Sequence, residues 1–523
     1  MKFNHDARRK NVFKATVSSG ACNALLILVG FGYRMVFLHV FSLAYMGINS
    51  LFGTVLSMLS LADLNISNAI IYRLYEPIST DDVHEVGKYM RFFRDAYRIV
   101  AGVIFVLGLC LMPFLPLFIK SASEVPADVN LYVVFFLFLL QTASSYLFSY
   151  KLALLSADQR QHQSAAINAL STVVRYTAQI LFILLTRNYM LVLVVGILVT
   201  IALNWLASAW VTRQYPNVFL VADRVDKGER KAILGDTSAA ILHKVGGIVL
   251  NSTDNILISK FIGLGITGAY ANYSLIIFNV GRAVQTLFGG FVPSMGNAHA
   301  ELSCAARYAF YKKALFLNLA LTGLFTTCLY SLIEDFILLW VGEASLLGGA
   351  VPVWLCIQFY IENARCVSSS YIDACGLFTK DKPRPIIESI LNLVISFVAL
   401  QYMGVAGVIV GTIVSCLLTV FWREPYLLYH YAFEVSVSRY WIDYLQHLGV
   451  TLVSVVLFHQ IKTACFGTSV NLLAWVVCGV VGTLVYTLVC AVAFWKSNEF
   501  RYYWRLVADS ARRGLHHKQR DNK

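Results

Sequence analysis

The chain has 523 residues, of which 58% are hydrophobic and 14% charged, with a formal net charge of +13. No soluble domain of this length needs so much apolar surface, and the apolar residues come in runs of about twenty, long enough to cross a bilayer. These features exclude a soluble enzyme or a nucleic-acid-binding module and predict an all-α polytopic membrane protein.

In chain order, about 14 transmembrane helices are expected, centred near Ile27, Val55, Leu107, Phe138, Val174, Leu198, Val249, Ile276, Thr322, Ile361, Val394, Ile413, Leu452 and Val481. The opening MKFNHDARRKNVFKA runs straight into a full-length helix with no small-residue cleavage site, so no signal peptide is expected. Loops on one side are short. Of the 42 Lys and Arg, about six fall within spans, about 32 on one side and about four (Lys120, Arg187, Lys260, Lys462) on the other. The rich side holds Arg8, Arg9 and Lys10, the run Arg91, Arg94 and Arg98, the cluster Arg224, Lys227, Arg230 and Lys231, and the tail Arg512 to Arg520. Both termini are thereby placed in the cytoplasm, and the positive charge suits anionic membrane lipids rather than nucleic acid. The eleven cysteines form no CxxC or Cys/His pair, so neither a disulfide framework nor a metal site is expected.

The chain also repeats itself. LAYMGINSLFGTVLS from Leu43 matches LGITGAYANYSLIIF from Leu264, and YKLALLSADQRQ from Tyr150 matches YIDACGLFTKDK from Tyr371. Gly47/Gly268, Tyr150/Tyr371 and Leu170/Leu391 all share one offset of 221 residues. Both halves begin on the same side, so they read as parallel repeats related by an axis along the membrane normal, with a central cavity where the halves meet. The expected division is a six-helix lobe over 1–222, a second over 223–438, and an extra helix pair with a basic tail over 439–523.

Charges inside spans are costly and mark cavities or partners. In the seventh span, HKVGGIVLNSTDNILISKFIG, the residues Lys244, Asn251, Asp254, Asn255 and Ser259 share one broad stripe. The repeat places Arg34 of the first span opposite Asn255, so Arg34 and Asp254 are candidates for one central space; the alternative is a buried helix pair that only fixes packing. In the tenth span Gln358, Glu362, Arg365, Ser369 and Asp373 form a continuous polar line, with Glu362 and Arg365 close enough to neutralise one another. That line reads either as a coupling site or as a structural ion pair. Asp63, Lys151, Arg175 and Arg282 complete the inventory. Cations outnumber carboxylates, which suits an anionic substrate, because guanidinium groups bind phosphate oxygens bidentately. For Lys151 and Lys244, snorkelling to headgroups is the competing explanation.

Three stretches carry a family resemblance: GINSLFGTVLSMLSLADLNISNAIIYRLY, NSTDNILISKFIGLGITGAYANYSLI and SSSYIDACGLFTKDKPRPIIESILNLVIS. They resemble Wzx-type polysaccharide flippases of the multidrug/oligosaccharidyl-lipid/polysaccharide exporter superfamily, as found in capsule and exopolysaccharide clusters. The resemblance implies a 14-helix fold and a bacterial cytoplasmic-membrane location. It also implies flipping of undecaprenyl-diphosphate-linked oligosaccharide by alternating access, beside other polysaccharide-assembly proteins. The polyprenyl-diphosphate-linked glycan would meet a cationic cavity, here Arg34, Asp254, Asn255, Arg282 and Arg365. Asp254, Glu362 and Asp373 are the candidates for coupling to H+ or Na+, and no other cofactor is expected. A lipid II flippase or multidrug antiporter of the same superfamily is the alternative. A membrane-embedded polymerase or ligase is disfavoured, since the longest outer segment, KSASEVPADVN, has one Lys and no Arg or His.

Overall fold

The computed structural model describes residues 8–63, 66–236, 238–377, 381, 383–467, 471–506 and 509. Among them the regular structure is helical, with no strand. Two compact units form, 1–271 and 272–523.

The first unit opens with α1 (Arg8–Val40) and α2 (Leu43–Leu59), which passes through a 3-10 turn at Ser60–Asp63 towards α3 (Ile66–Ser79). α4 (Val83–Leu111) runs on as the 3-10 segment Met112–Phe118. Then follow α5 (Leu131–Ala157), α6 (Gln161–Thr186), α7 (Tyr189–Gln214), the short connectors α8 (Pro216–Phe219) and α9 (Lys227–Asp236), and α10 (Ser238–Phe261). Local chemistry sets several starts. Asn130 accepts from the backbone N–H groups of Tyr132 and Val133 at 3.0 and 3.3 Å, and Asn188 accepts from that of Leu191 at 3.1 Å. Each satisfies donors that a helix N-terminus leaves orphaned. Phe37, Phe52, Phe93, Phe135 and Tyr189 fill the core.

α11 (Leu264–Gly289) begins in the first unit and continues into the second. There follow α12 (Val292–Glu301), α13 (Cys304–Val341), α14 (Val351–Ala364), α15 (Cys366–Ala374), α16 (Arg384–Met403), α17 (Val405–Leu418), α18 (Val420–Leu427, ending in a π turn at Leu428–Ala432), α19 (Ser438–Phe466) and α20 (Leu472–Phe494). This core is tyrosine-rich: Tyr311, Tyr371, Tyr429 and Tyr440 are fully buried and stack edge to face around Phe433 and one another. Gly407 lets α17 lie against the α16 backbone, and Asn392 donates to Thr412 between the same helices at 2.8 Å. Close backbone approach through small residues, locked by a hydrogen bond, is how helices associate in lipid. The C-terminal pair α19 and α20 packs on α13, where Lys462 donates to the Ser331 carbonyl at 2.6 Å and Trp475 to that of Leu332 at 3.1 Å.

Among the described residues, ten helices are long and apolar enough to cross a membrane. Four further rods (α2 with α3, α10, α11 with α12, and α14 with α15) bring the described rods to fourteen, the expected number. These four are the more polar ones because they carry Asp63, Asp254, Arg282, Glu362, Arg365 and Asp373. Large apolar side chains point outwards: Leu184, Leu488 and Val492 are 62%, 68% and 76% exposed. Such surface is a liability in water and the natural one in a bilayer.

α10 and the start of α11 pack with the first unit, although the repeat assigns them to the second half. Asn255 donates to Thr54 of α2 at 2.9 Å, and Ser259 donates to the Phe118 carbonyl at 2.8 Å. Leu264 N–H is capped by Glu124 at 2.6 Å.

Candidate functional site

In the first unit the geometry centres on α1 and α6, which pack along one another. Tyr33 of α1 stacks on Tyr176 of α6, with ring centroids 4.6 Å apart and planes 14° from parallel. The Arg175 guanidinium lies 4.7 Å from the Tyr176 ring centroid, a cation–π contact. Arg34, next to Tyr33, donates to the Ala271 carbonyl of α11 at 2.8 Å. Neither arginine has a carboxylate partner among the described residues. Two half-buried guanidinium groups thus flank one tyrosine stack in a helical bundle with apolar outer faces. The sequence nominates both arginines but gives no hint that they are neighbours. Tyr33 and Tyr176 escaped notice because aromatic residues in apolar helices usually only pack.

Asp254 is 9% exposed and accepts from the Tyr270 hydroxyl at 3.0 Å, across the α10–α11 hairpin. Asn255 is spent on Thr54. Arg34 contacts the α11 backbone at Ala271 and Asp254 the α11 side chain Tyr270, one residue apart in sequence. The side chains of Lys244 and Asn251, from the same predicted stripe, lie outside those described. Asp63 sits half-buried in the 3-10 turn after α2, beside Tyr97 of α4. Lys151 of α5 donates to the Thr212 hydroxyl of α7 at 2.7 Å, away from the arginine pair.

In the second unit Arg282 is exposed on α11 beside the exposed Gln285, with no carboxylate partner among the described residues. Glu362 is also exposed and accepts from Gln358 at 2.9 Å. Asp373 is exposed near the end of α15.

The expected pairing of Glu362 with Arg365 is corrected by the structure. Arg365 sits at the break between α14 and α15 and turns to Glu424 of α18, donating through Nη2 at 2.8 Å and Nε at 3.1 Å. The planar fork matches both carboxylate oxygens, which an i,i+3 neighbour on the same helix surface does not offer. Glu424, 3% exposed, also lies 3.7 Å from Arg384, which pairs with Asp381 at 2.7 Å; Asp381 in turn accepts from Arg423 at 3.3 Å. Burial pushes the Asp381 carboxyl above its usual range, against the opposite pull of Arg384 and Arg423. Arg365 is thus one end of a buried ionic network that Glu424 and Arg384 join together. The sequence signals for its partners were the charged pair Arg423–Glu424 in the apolar run VFWREPYLL and the i,i+4 pair Arg384/Glu388.

No family model matches the sequence, and no curated protein matches it. Solved structures do match. The lipid II flippase MurJ in an inward closed conformation is 12% identical, covers 91% of this chain and 99% of its own, and gives a TM-score of 0.68. An inward-facing multidrug-resistance MATE family transporter of the MOP superfamily is 12% identical, covering 79% of this chain and 98% of its own, with a TM-score of 0.58. The Vibrio cholerae MATE transporter VcmN is 13% identical, covering 85% and 97%, with a TM-score of 0.54. At these identities the likeness carries the fold, which the chain shares with these flippase and transporter structures.

Proposed function

We propose that this protein is a flippase that moves a polyprenyl-diphosphate-linked oligosaccharide across the bacterial cytoplasmic membrane by alternating access, as Wzx-type exporters do for capsule or exopolysaccharide synthesis. The observation that carries this reading is the pair Arg34 and Arg175, two membrane-embedded guanidinium groups without carboxylate partners among the described residues. Uncompensated charge in a bilayer protein is costly and is retained where an anion visits. A diphosphate supplies that anion, and the Tyr33–Tyr176 stack offers the flat amphipathic surface on which sugars pack. Arg282 is a third cation of the same kind. Asp254 and Glu362 are the carboxylates whose charge state would couple the cycle to H+ or Na+, with Asp373 a further candidate.

The fold shared with a lipid II flippase favours one competing substrate, the peptidoglycan precursor. Both substrates present a diphosphate, so the arginines do not separate them. Cationic drugs, by contrast, are repelled by such a site. The test is reconstitution into proteoliposomes with fluorescent undecaprenyl-diphosphate oligosaccharide in one arm and lipid II in the other. Flipping of the oligosaccharide alone supports the proposal, flipping of lipid II alone transfers it to the precursor, and flipping of neither overturns it.

A further inference from the structure

We propose that the groove between α5 and α7 is a binding site for the phosphate headgroup of an anionic phospholipid, separate from the arginine pair. The groove is open, has a volume of about 490 Å³ and is lined by Leu147, Tyr150, Lys151, Trp205, Thr212 and Arg213, among others. Lys151 sits six residues before the end of α5, roughly 9 Å along the helix from its terminus. Arg213 lies in the last turn of α7, so the groove is at headgroup height on the membrane side that carries Arg91, Arg94, Arg98 and Arg160.

The chemistry of the groove is that of a lipid phosphate site. One of the three Lys151 N–H donors goes to Thr212, whose own hydroxyl donates to the Ser208 carbonyl at 2.9 Å. The ammonium is 5.1 Å from the Phe219 ring centroid. Neither Lys151 nor Arg213 has a carboxylate partner among the described residues. A third cation, Arg94, lies close by and directs its Nε to Asp95 at 3.2 Å. A partly desolvated cation held by one hydroxyl and the Tyr150 and Phe219 rings is unneutralised, and basic pockets between helices at this level bind lipid phosphates. The apolar end matches acyl chains: Leu147 and Trp205 are 45% and 58% exposed, and indoles favour the headgroup boundary. The volume of about 490 Å³ accommodates a glycerophosphate group with its first acyl carbons.

The test is native mass spectrometry of the purified full-length protein titrated with phosphatidylglycerol, phosphatidylcholine or undecaprenyl diphosphate. Wild type should retain phosphatidylglycerol in preference to phosphatidylcholine. The double variant Lys151→Gln/Arg213→Gln should bind phosphatidylglycerol roughly 10- to 30-fold more weakly. Arg213→Gln alone, at an exposed position that folding tolerates, should show part of the loss, and Lys151→Arg should keep most binding. Phosphatidylglycerol retention unchanged in the double variant, equal retention of phosphatidylcholine, or displacement of phosphatidylglycerol from wild type by undecaprenyl diphosphate but not from the double variant would each overturn the proposal.

Discussion

Gly47 and Gly268 lie against one another, each facing the backbone at the start of the other's helix: a Cβ on Gly47 would run into the Leu264 carbonyl, and one on Gly268 into the Leu43 carbonyl. Leu43 and Leu264 are themselves 221 residues apart, as are the glycines. Reciprocal contacts of this kind are what a two-fold relation between repeated elements produces. These contacts bring α2 and the start of α11 backbone to backbone.

Adding a methyl group there should destabilise the protein. Gly47→Ala and Gly268→Ala should each cost about 1–3 kcal/mol, because the obstacle is backbone rather than a flexible side chain. Melting of the detergent-solubilised protein measures this, with Gly53→Ala, whose Cβ would meet nothing within 4 Å, as the neutral comparison. Equal melting temperatures for all three variants would contradict the packing.

Arg34→Ala and Arg175→Ala should lower export while leaving membrane levels unchanged. Loss of a hydrogen bond to a charged group is worth about 1.5–3 kcal/mol, so a fall of roughly 10- to 100-fold in substrate affinity is expected. Binding of a diphosphate-bearing lipid by the purified variants is the readout. Loss of the proteins from the membrane would instead assign both arginines to folding.

The Arg365–Glu424 pair makes the opposite prediction. Glu424→Gln should destabilise by about 3–5 kcal/mol, since it strands a buried guanidinium, whereas Arg365→Met/Glu424→Met should be nearly neutral. Thermal melts of the two variants decide between a structural network and a substrate site: a stable double variant that still exports removes Arg365 from the candidate substrate ligands.

Coupling is tested at the carboxylates. Asp254→Asn and Glu362→Gln should retain substrate binding and lose the dependence of export on an H+ or Na+ gradient. Export by both variants that still follows the gradient at wild-type rate would exclude these groups.

Membrane orientation has its own test. Ser123 and Asp226 are both exposed in connecting segments. In a background lacking native cysteines, Ser123→Cys should react with an impermeant reagent from outside and Asp226→Cys only after permeabilisation. Outside labelling at both positions would reverse the positive-inside assignment.

Much of this molecule is determined locally, and that part was readable. Span positions follow from runs of apolar residues, because a bilayer forces every backbone polar group to be satisfied within its own helix. The shared offset of Gly47 and Gly268 was legible too, but their contact was not, since an offset reports repetition and not proximity. What the sequence alone left open is which polar groups meet. It placed Arg365 beside Glu362 because helical spacing is all that a single segment reports, but the break at Arg365 and the arrival of α18 gave the guanidinium to Glu424. It named Arg34 and Arg175 on separate helices, and only the packing of α1 on α6 set them around the Tyr33–Tyr176 stack. The physical reason is one of range. Burial in lipid is a property of each stretch of about twenty residues, whereas a partner across a bundle depends on helix rotation, which residues far apart in the chain decide together.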